Sequence, residues 1–360
     1  MNTINSPFST IIDEALKHDE SKIQEASEIG QARIRVLGCG GGGCNAINWL
    51  YKKGIKGAEI IAINTDKQHL DLVEADKKIL IGRNLTRGLG CGGFVEKGKE
   101  SAKEQIQELK KALHNSDMVF VAAGLGGGTG TGSSPIIGGI AKNLNAIVIG
   151  VVTMPFDLER TRLDKAEQGL QELREVCDTV IVIDNNKLVN IAGNLPLKQA
   201  FAVANELIST MIKGIVEIVA VPSLVNLDYA DVKSIMTNGD VSVIGIGESD
   251  SSNKVEESVK NALNNPLLEV DYDGASGALI HVTGGPEMTL EEVNKIGEIV
   301  TQTLNPEADV IWGSRISNDF GKRLRVMTII TGVKSPHILG KPKKEDTKKS
   351  YNNFFGIDHI

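Results

Sequence analysis

From Arg33 onward, short uninterrupted apolar runs alternate with segments whose apolar residues recur at helical spacing. RIRVLGCG, AEIIAINTD, DMVFVAAG, AIVIGVVTMP and TVIVIDN read as strands, and CNAINWLYKKG, SAKEQIQELKKALHNS, SPIIGGIAKNL and TRLDKAEQGLQELREV as the helices between them. Strands that are apolar throughout rather than alternating, joined by helices, predict a parallel sheet covered on both faces. Ligands of such sheets sit beyond the carboxyl ends of the strands, and that is where the glycine-rich segments fall.

A long helical pattern follows over residues 197–220, LKQAFAVANELISTMIKGIVEIVA. Beyond it, VSVIGIGES, GALIHVTGG, ADVIWGSRI and RLRVMTIITGV read as strands, with helices at KVEESVKNALNN and TLEEVNKIGEIVTQTL. Thr289 and Glu292 have the spacing of a capping box for the second of these. The expected organisation is a polar leader with amphipathic-helix spacing (1–31), a glycine-loop domain (32–196), a central core helix (197–220), a smaller α/β domain (221–334) and a charged tail (335–360).

Composition narrows the function classes. A net charge of −7 argues against a nucleic-acid binder, and 360 residues suit about two domains. The six histidines are scattered, and the cysteines at 39, 44, 91 and 177 match no zinc spacing, so a reducing cytoplasm fits. No run approaches the length of a membrane span, so direct membrane insertion is not expected.

Three glycine segments carry the chemistry. GCGGGGC (38–44) satisfies GxGxxG through Gly38, Gly40 and Gly43, with Asp66 after the second strand where a dinucleotide site has its acid. Glycine loops also serve simply as tight strand-to-helix turns. GGGTGTG (126–132) lacks the lysine of a Walker loop, yet its backbone N–H groups and the following helix N-terminus can form an anion nest, with Thr129 and Thr131 as hydroxyl donors. TRGLGCGG (86–93) is the third. Three such loops on one sheet exceed what a dinucleotide needs and suit a triphosphate.

GCGGGGCNA, INTDKQHL, TRGLGCGG, GLGGGTGTGSSP, MPFDLER and NLDYADV occur in the order found in FtsZ, the tubulin-like cell-division GTPase family. The chain resembles that family over residues 32–334, and its leader and short tail resemble archaeal members. The resemblance implies a tubulin-like fold: a Rossmann-like parallel-sheet GTPase domain, a long central helix and a second, smaller α/β domain. It implies GTP/GDP and Mg²⁺ as cofactors, and self-association into head-to-tail filaments in the cytoplasm at the mid-cell division ring.

By the same resemblance, Gly40, Gly41, Gly42, Gly43, Cys44 and Asn45 would wrap the phosphates together with Gly126, Gly127, Gly128, Thr129, Gly130, Thr131 and Gly132. Cys91 and Gly92 would approach the γ-phosphate. Glu159 would accept a ribose hydroxyl, with Arg162 near the nucleotide. Asn185, Phe201 and Asn205 would address ribose and guanine, with Glu206 next to Asn205. Taken alone, Phe201 is more often core, Asn205 a polar helix face, and Glu159 with Arg162 a surface pair. The chain departs from the family pattern at Arg160, a competitor to Arg162, at Phe94-Val95 in place of Asn-Pro, at Asp184 in place of Pro, and at Asn205 where many relatives have Asp.

No glycine loop contains a general base. Asn226, Asp228 and Asp231 in NLDYAD are the candidates, although acids at i, i+3 before a helix are usually caps. If Phe201 and Asn205 touch the nucleoside, the helix at 197–220 carries the acids roughly 25–35 Å away at 1.5 Å per residue. They could then serve only a neighbouring subunit's GTP, as the resemblance implies. The terminal FFGIDHI, which opens with Phe354 and closes with Ile360, would dock a membrane-linked adaptor, the alternative being an idle end. Two other function classes remain: an NAD-dependent oxidoreductase, and a tubulin-like polymer that binds nucleotide without turnover.

Overall fold

A computed structural model describes residues 32–333 except 222, 238–241, 265–271 and 273–274. The expected leader helix (1–31) and the docking tail (335–360) lie outside the described residues.

Six parallel strands form the first sheet: β1 (Ile34–Cys39), β2 (Ala58–Asn64), β3 (Lys77–Leu80), β4 (Met118–Gly124), β5 (Ile147–Met154) and β6 (Thr179–Asp184). Their order is β3-β2-β1-β4-β5-β6, that of the doubly wound dinucleotide folds, so the direction of winding reverses between β1 and β4. Ile61, Ile63, Val121 and Val148 are fully buried in one layer, and Ile60, Phe120 and Ile149 in the other. That two-sided burial is why these strands lack alternation.

Around the sheet lie α1 (Gly40–Lys53), α2 (Lys67–Leu72), α3 (Val95–Glu104), α4 (Ile106–Leu113), α5 (Thr129–Asn143), α6 (Arg160–Val176) and α7 (Asn185–Ala192). The central helix α8 (Leu197–Ala220) is followed by α9 (Tyr229–Thr237), α10 (Lys254–Leu263) and α11 (Leu290–Thr301). Strands β7 (Ser242–Ser249), β8 (Gly277–Gly284), β9 (Asp309–Ile316) and β10 (Leu324–Thr331) form a second sheet ordered β7-β10-β8-β9. In it β10 is antiparallel to both neighbours, while β8 and β9 are parallel. Thr289 and Glu292 close the expected capping box on α11.

Helix α8 is apolar on two sides because it is packed on two sides. Ile208, Met211, Ile212 and Ile215 share one buried cluster with Ile149 and Ile181 of the first sheet and Ile244, Leu279 and Ile329 of the second. A Cβ at Gly214 would come within 1.8 Å of the Met327 side chain, so the glycine lets helix and second sheet close up.

Three of the elements that differ from expectation have a clear physical cause. The edge strand β3, KKIL, was not expected, since two lysines and four residues hide it; both features are usual protection for an edge. The helix expected over 101–116 is two helices, one beginning earlier at Val95, broken at Gln105, whose side chain accepts the Gly82 N–H at 2.7 Å. Helix α1 begins at Gly40 rather than Cys44, because tertiary contacts override the poor helix propensity of four glycines.

Candidate nucleotide site

The two main glycine loops meet at the point where winding reverses, one after β1 and one after β4. Helices α1 and α5 start there. Neither has a side-chain cap or an acidic residue in its first turn. Two positive helix ends with free first-turn N–H groups therefore converge, which is an arrangement suited to anions.

The glycines divide into two kinds. A Cβ on Gly43 would meet the Ala122 carbonyl oxygen at 2.1 Å, one on Gly130 the Gly124 oxygen at 2.8 Å, and one on Gly132 the Val95 oxygen at 2.2 Å. Gly128 is pressed against Cys91 and Phe94, and Gly40, at φ +69°, against the Gly130 nitrogen. These glycines let backbones approach one another. Gly41 and Gly127 have nothing within 4 Å of a built Cβ, and Gly42 is exposed with only Gly124 nearby. No neighbour in the fold requires glycine at 41 or 127, so these two leave room for a ligand.

The two threonines differ in their surroundings. Thr129 Oγ1 lies 2.6 Å from Thr65 Oγ1, and Thr131 is fully buried against Gly169 of α6. It is the Thr131 methyl that meets Gly169, while Thr131 Oγ1 is buried with no hydrogen-bond partner among the described residues. The Cys44 thiol is likewise buried and donates toward the Gly38 carbonyl at 3.3 Å; burial pushes it up to about 12. Cys39 is raised for the same reason. All four cysteines are buried thiols outside any disulfide.

The third loop docks on the turn after β2. Lys67 N–H donates to the Gly88 carbonyl at 3.0 Å, and Gly90 N–H to that of Thr65 at 3.2 Å. Cys91 is buried beneath it, while Gly92, at φ +60°, is exposed beside the second loop's Gly128 contacts. Phe94 stands 62% exposed with Lys97 Nζ 5.1 Å from its ring. Asp66, the acid a dinucleotide site would use, is committed to capping α2 through the His69 N–H at 3.1 Å.

Among the residues expected to address the nucleoside, Arg162 donates to Glu159 Oε2 at 2.6 Å, and the Phe156 N–H donates to Glu159 Oε1 at 3.2 Å. A Cβ on Gly126 would meet the Arg162 Cβ at 2.9 Å. Arg162, rather than Arg160, is thus the arginine standing against the second loop. Phe201 is 42% exposed and edge-on to Phe156, with ring centroids 6.1 Å apart, so its ring is not core. Asn205 lies one helical turn along α8, half-buried, and Asn185 opens α7. Asp184, in place of the usual proline, caps α7 by accepting the Asn186 N–H at 2.8 Å.

Glu206 is already engaged. It accepts Trp49 Nε1–H at 2.6 Å and pairs with Lys53, both on α1. Burial alone would raise its carboxyl, and the Lys53 and Trp49 bonds outweigh this and hold it below the usual range. It joins α8 to α1 rather than offering a free acceptor.

Sequence reasoning missed Phe156, and also Asn186, which exchanges two bonds of 2.9 Å with Asp157 and so ties the Glu159 turn to α7. Phe156 lies within MPFDLER, but nothing in a linear motif indicates an edge contact with a ring on the distant helix α8.

Asn226, Asp228 and Asp231 are elsewhere. Asp231 N–H donates to Asp228 Oδ1 at 2.9 Å and Asp228 N–H to Asp231 Oδ2 at 3.0 Å, a reciprocal pair opening α9. Tyr229 between them donates its hydroxyl to the Asp117 carbonyl at 2.8 Å. Asp117 sits at the foot of β4, whose seven residues span about 23 Å before the second glycine loop. The acids and the phosphate loops occupy opposite ends of one sheet. Among the described residues, no three His, Cys, Asp or Glu side chains group to hold a metal, and no helix is long and apolar enough to cross a membrane.

Residues 33–193 match the model of the Tubulin/FtsZ family GTPase domain, and residues 240–334 that of the FtsZ family C-terminal domain. The chain is 53% identical to cell division protein FtsZ 2 of Methanocaldococcus jannaschii, covering 97% of this chain and 96% of that protein. It is 48% identical to cell division protein FtsZ 1 of Archaeoglobus fulgidus over 91% and 88% of the two chains. The solved empty FtsZ dimer from M. jannaschii superposes with a TM-score of 0.79 at 46% identity, covering 94% of this chain and 99% of that one. Uncapped helix ends at the winding reversal, a two-faced central helix and these matches agree: the chain belongs to the tubulin/FtsZ family of GTPases.

Proposed function

We propose that this chain is a GTP-dependent polymerising GTPase of cell division, whose hydrolytic site is completed by the next subunit of a head-to-tail filament. The supporting observation is the separation of the two halves of the site. The phosphate loops lie beyond the carboxyl end of β4, and the Asp228–Asp231 pair is tied by Tyr229 to its other end. A rigid sheet keeps them apart within one molecule. Stacking one copy on the next joins them, and such a heterologous contact propagates as a filament.

In this reading residues 32–196 bind the nucleotide, 197–220 form the central helix, and 221–334 carry the acids. Backbone N–H groups at Gly41, Gly42, Gly127 and the following helix ends hold phosphate, Gly92 approaches the γ-phosphate, and Glu159, Asn185, Phe201 and Asn205 receive the nucleoside. Asp228 and Asp231 of the neighbour orient the attacking water and Asn226 steadies their turn; positioning and charge stabilisation provide most of the rate in phosphoryl transfer. Mg²⁺ suits the donor set: it takes phosphate oxygens, waters and one or two carboxylates, so it needs no protein cage. When bound it neutralises phosphate charge. Residues 354–360 dock a membrane-linked adaptor, which places the filament at a cytoplasmic division ring at mid-cell.

Sedimentation with GTP and Mg²⁺ alongside phosphate release, across a protein concentration series, tests the shared site. Turnover per molecule should rise from near zero at the concentration where polymer first pellets. Full turnover in dilute, unassociated protein would sink it.

A further inference from the structure

The turn after β2 holds a relay of side chains whose donor and acceptor roles can be assigned atom by atom. Asn64 ends β2 and is buried. Its Oδ1 accepts the backbone N–H groups of Thr65 at 2.9 Å and Asp66 at 3.3 Å. The carbonyl edge of that amide is therefore committed, and Nδ2 is the atom that faces His69 Nδ1 at 3.2 Å. Two donors cannot face one another, so Nδ1 carries the lone pair and the ring proton sits on Nε2. Nε2–H then donates to Asn45 Oδ1 at 3.0 Å.

Asn45 is exposed on α1, four residues beyond the open Gly41. An amide can offer a ligand either its carbonyl or its amino edge, and a phosphate oxygen only accepts. An Asn45 free to rotate would spend part of its time presenting the repelling edge. With its carbonyl held by His69, only the amino edge remains for a ligand.

We propose that His69 is a positioning residue for nucleotide binding: Asn64 fixes its tautomer, and His69 in turn holds the Asn45 amide in the donor orientation that the phosphate chain requires. This rests on reading the α1 N-terminus as part of the nucleotide site. The same turn receives the third glycine loop through Thr65 and Lys67, so the relay joins the first loop to the third.

The test measures GDP binding by calorimetry at neutral pH for the wild type, N45A, H69A, H69Q and N45A/H69A, with thermal melts of each nucleotide-free protein. Glutamine carries a donor and an acceptor at its tip, so it can serve both asparagines. H69A should weaken GDP about tenfold, the loss of one well-placed hydrogen bond, and N45A by a similar factor. The double variant should bind no more weakly than N45A, H69Q should stay within about threefold of wild type, and the melts should move little. Wild-type affinity in H69A, or multiplicative losses in the double variant, would overturn the proposal. A lowered melting temperature in H69A with unchanged affinity would reduce His69 to a structural role and also overturn it. If N45A binds like a tight wild type, the relay idea fails alone; if the wild type binds no GDP, the site reading fails and takes the proposal with it.

Discussion

The Tyr229 hydroxyl donates to the Asp117 carbonyl at 2.8 Å, fastening the acidic turn to the foot of the strand whose other end carries the GGGTGTG loop. Burial and the nearby carboxylates of Asp117 and Asp178 push the Tyr229 phenol up to about 12, so it stays a neutral donor at any ordinary pH. The same carbonyl also accepts the Ile147 N–H at 2.9 Å, so removing the phenol does not orphan it. Tyr229→Phe should therefore cost only about 1 kcal/mol of stability. It should lower turnover in the polymer severalfold through a looser acidic turn and leave GDP affinity unchanged. Chemical denaturation, phosphate release and GDP titration on the same variant check the three parts.

The Asp228–Asp231 pair lets charge be separated from capping. Each carboxylate uses one oxygen to accept the other residue's N–H. Asparagine at 231 can make the same bond without the charge. Asp231→Asn should keep stability and pelleting with GTP yet lose at least about tenfold in turnover, the scale of a removed transition-state interaction. Asp231→Ala should lose the turnover and, in addition, about 1 kcal/mol of stability. Undiminished hydrolysis by polymerised Asp231→Asn would leave the pair as a cap and nothing more.

Gly41 and Gly43 sit two residues apart in one helix and should respond oppositely to the same methyl group. At Gly41 a Cβ meets nothing within 4 Å, and alanine favours a helix over glycine by about 1 kcal/mol. Gly41→Ala should melt at or above the wild-type temperature while binding GDP more weakly, because the methyl enters the space left for phosphate. At Gly43 the Cβ would lie 2.1 Å from the Ala122 carbonyl oxygen, a contact between two buried backbones. Gly43→Ala should be destabilised by several kcal/mol, if it folds at all. Melting curves with and without GDP separate the two cases.

That contrast marks how far the sequence could be read. The strands of the first sheet were legible because burial on both faces leaves uninterrupted apolar runs such as DMVFVAAG. The long helix at 197–220 was legible from its length, and the distance it sets between Asn205 and Asp228 carried the argument for a shared site. What each glycine does was not legible, since Gly41 and Gly43 are the same letter and only the position of Ala122 tells them apart. Neither were the partners of Glu206, because the Trp49 and Lys53 that hold it lie more than 150 residues away. Strand β3 and the break at Gln105 depend on tertiary partners and leave no periodic trace.

His281 gives the second sheet a dependence on acid. It lies on β8 opposite Gly313 of β9 and Met327 of β10, 6% exposed. Its Nδ1 is 3.4 Å from Thr283 Oγ1, and its Nε2 meets no hydrogen-bond partner among the described residues. Burial first, and then the charge of Arg315, push the imidazole down from 6.5 to about 4. Since the folded protein holds this proton more weakly than the unfolded chain, the unfolded state takes it up first as the pH falls. Stability from this group is complete above pH 6.5 and is lost between about 6.5 and 4, up to a limit of about 3 kcal/mol. His281→Leu, which has no proton to gain, should flatten that part of the stability-against-pH curve. Denaturation midpoints of both proteins at intervals from neutral pH down to 5 measure it. If the wild type and the variant lose stability in parallel over that range, the acid sensitivity belongs to other groups and His281 takes up its proton equally in the folded and unfolded states.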